Sequence, residues 1–113
     1  MNATARTARQ IIKARKAAAK DAAKGLHTLA SHARKAGLDE TLAGSVAGAL
    51  RTKRTACGIQ GKAAVMVRPV TGGGIVPVKG GRRFTKGEFL TLAHAYSPRA
   101  ARLVAAREVL LAY

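Results

Sequence analysis

The chain has 113 residues, of which 21 are Lys or Arg and five are Asp or Glu, giving a formal net charge of +16. Apolar residues make up 48%, but 25 of them are Ala and aromatics reach only 4%, so the composition predicts one domain with a small, Ala-packed helical core. It excludes a membrane span, since no run approaches ~18 apolar residues, and an internal disulfide, since Cys57 is the single cysteine. No hydrophobic leader follows the basic N-terminus, and the reading is a soluble cytoplasmic protein.

So few carboxylates cannot pair with all the cations. A chain of this charge repels itself unless ions or a polyanion screen it. Nucleic acid is the commonest polyanion partner, and clustered Lys and Arg are its electrostatic footprint.

Residues 4–24 are rich in Ala, Arg, Lys and Gln and predict a long helix. At helical spacing Arg6, Arg9, Lys13, Lys16, Lys20 and Lys24 fall in one stripe. Ala8, Ile11, Ile12, Ala19, Ala22 and Leu26 lie opposite, with Arg15 breaking the apolar side. The stripe covers roughly 27 Å at ~1.5 Å per residue, enough to track a phosphate backbone. Like charges at this spacing destabilise an isolated helix, which favours contact with a polyanion over a merely solvated face. The Ala-rich opposite side lacks the Trp, Phe or Leu that a membrane-surface helix uses.

Residues 26–36 predict a second, short helix stopped by Gly37. Asp39 then caps a third helix at about 40–53, with Glu40 near its positive end. Leu42, Val46, Ala49 and Leu50 form its apolar face, and Gly44, Ser45 and Gly48 leave its backbone open to close approach. Arg51, Lys53 and Arg54 crowd its C-terminal end. Two β-branched runs, 65–70 and 75–78, flank a Gly-rich turn and predict a hairpin at about 63–79. Pro69 and Pro77 confine it to a two-stranded ribbon. Lys79, Arg82 and Arg83 follow it as another basic segment and are counted among the expected nucleic-acid contacts. The three glycines 72–74 fit either a close backbone approach or a loose loop.

Thr85 and Glu88 form a capping box opening a helix at about 86–96. Ser97 and Pro98 predict the N-cap and first residue of a last helix reaching about residue 112. That helix is apolar on more than one face. Leu103, Leu110 and Leu111 are therefore expected to serve a symmetric homodimer as well as the core.

The order helix, helix, helix, strand, Gly-rich tip, strand resembles the winged helix-turn-helix superfamily of DNA-binding domains, and the residues that carry the resemblance are GLDETLAGSVAGALRTKRTACG followed by VMVRPVTGGGIVPVK. The resemblance covers roughly residues 26–80, with Arg34 standing where the motif's glycine would fall. It implies that the helix at 40–53 enters the major groove. Thr41, Ser45, Arg51, Lys53 and Arg54 would then reach bases and phosphates, and the tip around Gly73, with Arg68 and Lys79, would lie against the backbone or the minor groove as a wing. The expected fold is mainly α with a β-hairpin (α+β): a basic N-terminal helix over 1–25, a winged-helix-like core over 26–84 and a C-terminal helical segment over 85–113, all in one compact domain.

Catalysis is not expected. Asp21, Asp39, Glu40, Glu88 and Glu108 form no pair at helical spacing, and His27, His32, His94 and Cys57 lack zinc-site spacing. Gly58 to Lys62 lacks the Ser or Thr of a phosphate-binding loop. No cofactor or metal is expected. The leading reading is a double-stranded DNA-binding regulator of transcription or replication, associated with the nucleoid. The alternatives are an architectural DNA binder, an RNA- or ribosome-binding protein, and an adaptor or inhibitor docking on an acidic host protein. The abundance of Ala and Arg points to a GC-rich genome, and the small size suits a phage or plasmid protein.

Overall fold

The computed structural model describes residues 3–78 and 80–113. It is a mixed α+β fold with the order α1 (Ala3–Ala23), α2 (Leu29–Ala36), α3 (Glu40–Thr52), α4 (Arg54–Cys57), β1 (Lys62–Ala63), β2 (Val67–Pro69), β3 (Ile75–Pro77), β4 (Arg82–Arg83), α5 (Lys86–Ala95) and α6 (Ala101–Leu111).

Local chemistry fixes the starts of three helices, α2, α3 and α5. Thr28 caps α2 by accepting the Ser31 N–H, and Asp39 caps α3 by accepting the Leu42 N–H at 2.8 Å. Thr85 and Glu88 form the expected capping box of α5, each side chain accepting the other's backbone N–H. Gly37 ends α2 at φ +123°, a conformation that favours glycine, and Leu38 folds back to the Ala33 carbonyl.

α2, α3, α5 and α6 enclose the core. Ala33, Ala43, Ala47, Ala93 and Ala106 let the helices approach closely, while Leu29, Leu50, Phe84, Phe89, Leu92 and Leu110 supply the volume. A histidine sits among them. His32 is 1% exposed, and its Nε2 donates to the Phe84 carbonyl at 2.6 Å. Since that partner only accepts, Nδ1 is left to accept from the Tyr113 hydroxyl at 3.0 Å. The ring stacks on Phe89 with centroids 5.0 Å apart. Burial holds the His32 imidazole below its ordinary pKa, against the raising effect of the Phe84 hydrogen bond. Burial likewise lowers His27.

The hairpin is longer than the alternation of residues predicts. β2 pairs with β3 antiparallel, Arg68 opposite Val76, and β1 pairs with β4, Lys62 opposite Arg83. Hydrogen bonds from Ala64 to Gly81 and from Val78 to Met66 join the two segments into one ribbon. Its base continues into a bridge in which His27 and Phe84 exchange both backbone hydrogen bonds, at 3.1 and 2.7 Å. The tip turns through Gly72 and Gly73 at φ +97° and +87°. Turn geometry alone therefore requires these two glycines.

Two predicted boundaries move. α6 begins at Ala101, and Ser97 caps nothing. Pro98 keeps the residue before it extended, and Arg107 donates to the Tyr96 and His94 carbonyls at 2.6 and 3.2 Å, holding the connection out of helix. α2 begins at Leu29 rather than 26, because His27 is taken into the bridge with Phe84.

Gly61 and Gly44 should respond oppositely to alanine. Gly61 lies at φ +75°, and an added Cβ would stand 2.6 Å from the Phe84 ring; Gly61→Ala should cost about 1–3 kcal/mol. Gly44 is helical, with nothing within 4 Å of an added Cβ, and Gly44→Ala should gain about 0.5–1 kcal/mol. Urea-unfolding midpoints check both. The two lowered histidines also set a pH dependence. Neutral forms favoured by the fold leave stability complete above the usual 6.5 and lose it as pH falls below that value. A melting temperature that stays flat from about pH 7 down to about pH 5 would refute it.

Candidate nucleic-acid interface

The basic stripe runs along α1 and into the turn after it: Arg6, Arg9, Lys13, Lys16 and Lys20 lie in the helix, Lys24 lies just past its end, and all six are exposed. The face turned to the ribbon differs from the predicted apolar side. Ile11, Ala14, Arg15 and Ala18 line a groove with Val65, Met66 and Val67, whereas Ile12 is 51% exposed and Ala8, Ala19 and Ala22 face solvent. Ile11, Ala14, Ala18 and Asp21 form one stripe at i, i+3, i+7 and i+10, on the side away from the lysines.

Asp21 is what anchors the helix. Its side chain is 6% exposed and accepts from Lys62 Nζ and from Arg83 Nη1, both at 2.7 Å. An acid in the last turn of a helix meets the negative end of the dipole, and here two cations from opposite ribbon strands offset it. The Lys62 and Arg83 hydrogen bonds hold the Asp21 carboxyl below its usual 3.8, against the raising effect of burial.

The pairing settles the place of one predicted contact residue. Arg83 is buried in this ion pair, so it is a structural cation rather than one presented to a ligand. Arg54 is also engaged in the fold. It is half-buried, donates to the Gln60 carbonyl at 2.7 Å and lies over the Phe84 ring at 5.6 Å. Arg51, Arg68, Thr41 and Ser45 are exposed, and Lys53 and Arg82 are half-buried. Thr41, Gly44, Ser45 and Arg51 share the outer side of α3, since Ala43, Val46, Ala47 and Leu50 turn inward. Gly73 is exposed at the ribbon tip, and Lys79 lies outside the described residues.

The carboxylates are largely spent within the fold. Asp21 takes two cations, Asp39 and Glu88 cap helices, and Glu40 pairs with Arg34 at 3.2 Å. Among the described residues none of the six stripe cations has an ion-pair partner.

On α6, Leu110 is fully buried in the core of the chain, which removes it from the expected dimer contact. Leu111 packs against that core, and Leu103 is half-buried. The apolar side left open is Val104 and Val109, 42% and 37% exposed.

The sequence reading missed the roles of Asp21, Lys62 and His32. Asp21 is the single acid in the first 38 residues, and that isolation was the available signal. No helix among the described residues is long and apolar enough to cross a membrane. Comparison with protein-family models, curated proteins and solved structures gave no match.

Asp21→Asn should free α1 from the ribbon. Removing the charge leaves Arg83 buried without its partner, so hydrogen-exchange protection of α1 and its resistance to proteolysis should fall before the core melts. The depressed carboxyl contributes stability above its unfolded value of 3.8, lost as pH falls through its lower folded value. Equal α1 protection in wild type and variant would refute the anchor.

Proposed function

We propose that the chain binds double-stranded DNA, phosphates along the α1 stripe and a groove against the outer side of α3. The exposed, unpaired stripe carries this reading: five cations on one face of α1 and Lys24 in the turn after it, in a chain whose acids are mostly consumed internally. Cations so placed release counterions when phosphates replace them. The order α2, turn, α3, the short α4, ribbon, with the ribbon base tied back to His27, supports the winged-helix resemblance. Phe84, Phe89 and Tyr96 are buried, leaving no stacking platform from them for single-stranded RNA, which supports a duplex.

One observation favours the architectural version over a site-specific regulator. Thr41, Gly44, Ser45 and Gly48 give the outer side of α3 short side chains, which reach few base edges. Most contacts would then go to phosphate, giving a nucleoid-associated binder of low sequence preference. A homodimer would have to form through Leu103 and the exposed Val104 and Val109.

Duplex DNA, single-stranded DNA and structured RNA should be compared across about 50–200 mM salt. Duplex affinity should fall steeply with salt and exceed both competitors. Changing Lys13, Lys16 and Lys20 together to Gln should flatten the logarithmic slope by about 2–3, at ~0.9 per phosphate contact. A salt-independent affinity, an unchanged slope in the triple variant, or a wide preference for RNA would each overturn the reading.

A further inference from the structure

A second basic feature lies apart from the α1 stripe. A cavity of ≈ 370 Å³ opens between the start of α2, the end of α3 with α4, and the base of the ribbon. Arg51, Arg54 and Arg82 all line it, each from a different element. Three guanidiniums on one concavity repel one another unless an anion joins them. No carboxylate does so: the ion pairs among the described residues belong to Arg34, Lys62 and Arg83. Arg51 and Arg82 have no side-chain hydrogen-bond partner among the described residues, while Arg54 is held at the cavity wall by the Gln60 carbonyl and the Phe84 ring. The first turn of α2 also lines the cavity, through Leu29 and Ala30. Thr28 takes the Ser31 N–H, which leaves the Leu29 and Ala30 N–H groups without an intrahelical acceptor at the positive end of the helix.

The remaining wall is apolar. Met66 and Val78 are half-buried and face the cavity, with the core residues Leu29 and Phe84 beside them. A bare phosphate has no use for such a wall. A planar base carried on the same molecule as the phosphate does, and the volume lies within the ~300–1,000 Å³ of small-ligand sites. We propose that this cavity binds a nucleoside 5′-phosphate, the phosphate against Arg51, Arg54 and Arg82 and the base against Met66 and Val78. The ligand is either a free nucleotide or the 5′-terminal nucleotide of a strand. The site shares no residue with the α1 stripe, and of the outer α3 residues proposed to meet DNA it uses Arg51 alone.

Arg82 is the residue to change, because it has no partner in the fold to lose. The full chain is titrated calorimetrically with AMP, adenosine and inorganic phosphate, and AMP should bind tightest of the three. Arg82→Gln should weaken AMP by about tenfold, as loss of one charge-assisted contact does, and Met66→Asp should weaken AMP more than phosphate. Circular dichroism confirms that each variant is folded; if Arg82→Gln fails to fold, Arg51→Gln on exposed α3 replaces it. The two sources are separated by a duplex with a 5′-phosphorylated single-stranded overhang, compared with the same duplex blunt. A strand-end site prefers the overhang and is displaced by AMP, whereas a free-nucleotide site binds AMP with no overhang preference. Equal binding of phosphate and AMP, or AMP binding untouched by Arg82→Gln, overturns the proposal. Absence of AMP binding and of overhang preference, with salt-dependent duplex binding intact, overturns this site alone; AMP binding without duplex affinity upholds it and overturns the DNA reading.

Discussion

Asp21 is the contact on which the arrangement of this chain depends. The apolar stripe that α1 offers the ribbon is Ile11, Ala14 and Ala18, and such small side chains bury too little area to orient a helix of 21 residues firmly. One buried carboxylate does that work by accepting from Lys62 on β1 and Arg83 on β4. A buried ion pair repays its desolvation only when its geometry is good. Here each carboxylate oxygen has its own donor at 2.7 Å. The same contact pins both strands at the ribbon base, so helix and ribbon are oriented by one residue.

The core solves a related shortage. With 25 alanines and four aromatics, helices must come close together around a few large side chains. Phe89 and the His32 ring lie at 5.0 Å, and Tyr113 meets each edge-on. His32 adds what an apolar residue could not: it fastens α2 to the Phe84 carbonyl and to the last residue of the chain. Phe84 is thus held three ways, by the His27 bridge, by the His32 ring and by packing against Gly61. The ribbon base is fastened to α2 for that reason, and Phe84 also forms part of the wall of the cavity beside it.

What could be read from the sequence followed the range of the interaction. The starts of α3 and α5 rest on Asp39 and on the Thr85–Glu88 box, whose partners lie three residues away, and both were legible. Ser97 and Pro98 look equally persuasive locally, yet α6 starts later because Arg107 reaches back across 11 residues to the Tyr96 carbonyl. The pairing of β1 with β4 was invisible because two-residue strands carry no alternation. Arg83 read as a surface cation because sequence gives a residue's charge without its burial. The α1 stripe was legible because helical spacing alone defines it. The arginine cavity was not, since Arg51, Arg54 and Arg82 meet only through the packing of ribbon on helices.

The distribution of charge follows from these constraints. Where acids are scarce, each one placed inside the fold removes a possible partner from the surface, and the cations left outside are uncompensated. Those on α1 are also spread out. The radius of gyration is 15.5 Å and the longest extent 51 Å, against about 13 Å for the radius of a compact chain of this length. An elongated body of like charge lowers its own repulsion by separating the charges, and it presents them in a row. Duplex DNA places its phosphates in rows as well, with a helical turn of about 34 Å, so a polyanion of that form meets more of these cations at once than a compact anionic protein would. The fold that needs Asp21 to hold α1 in place is therefore also the fold that keeps the basic row extended.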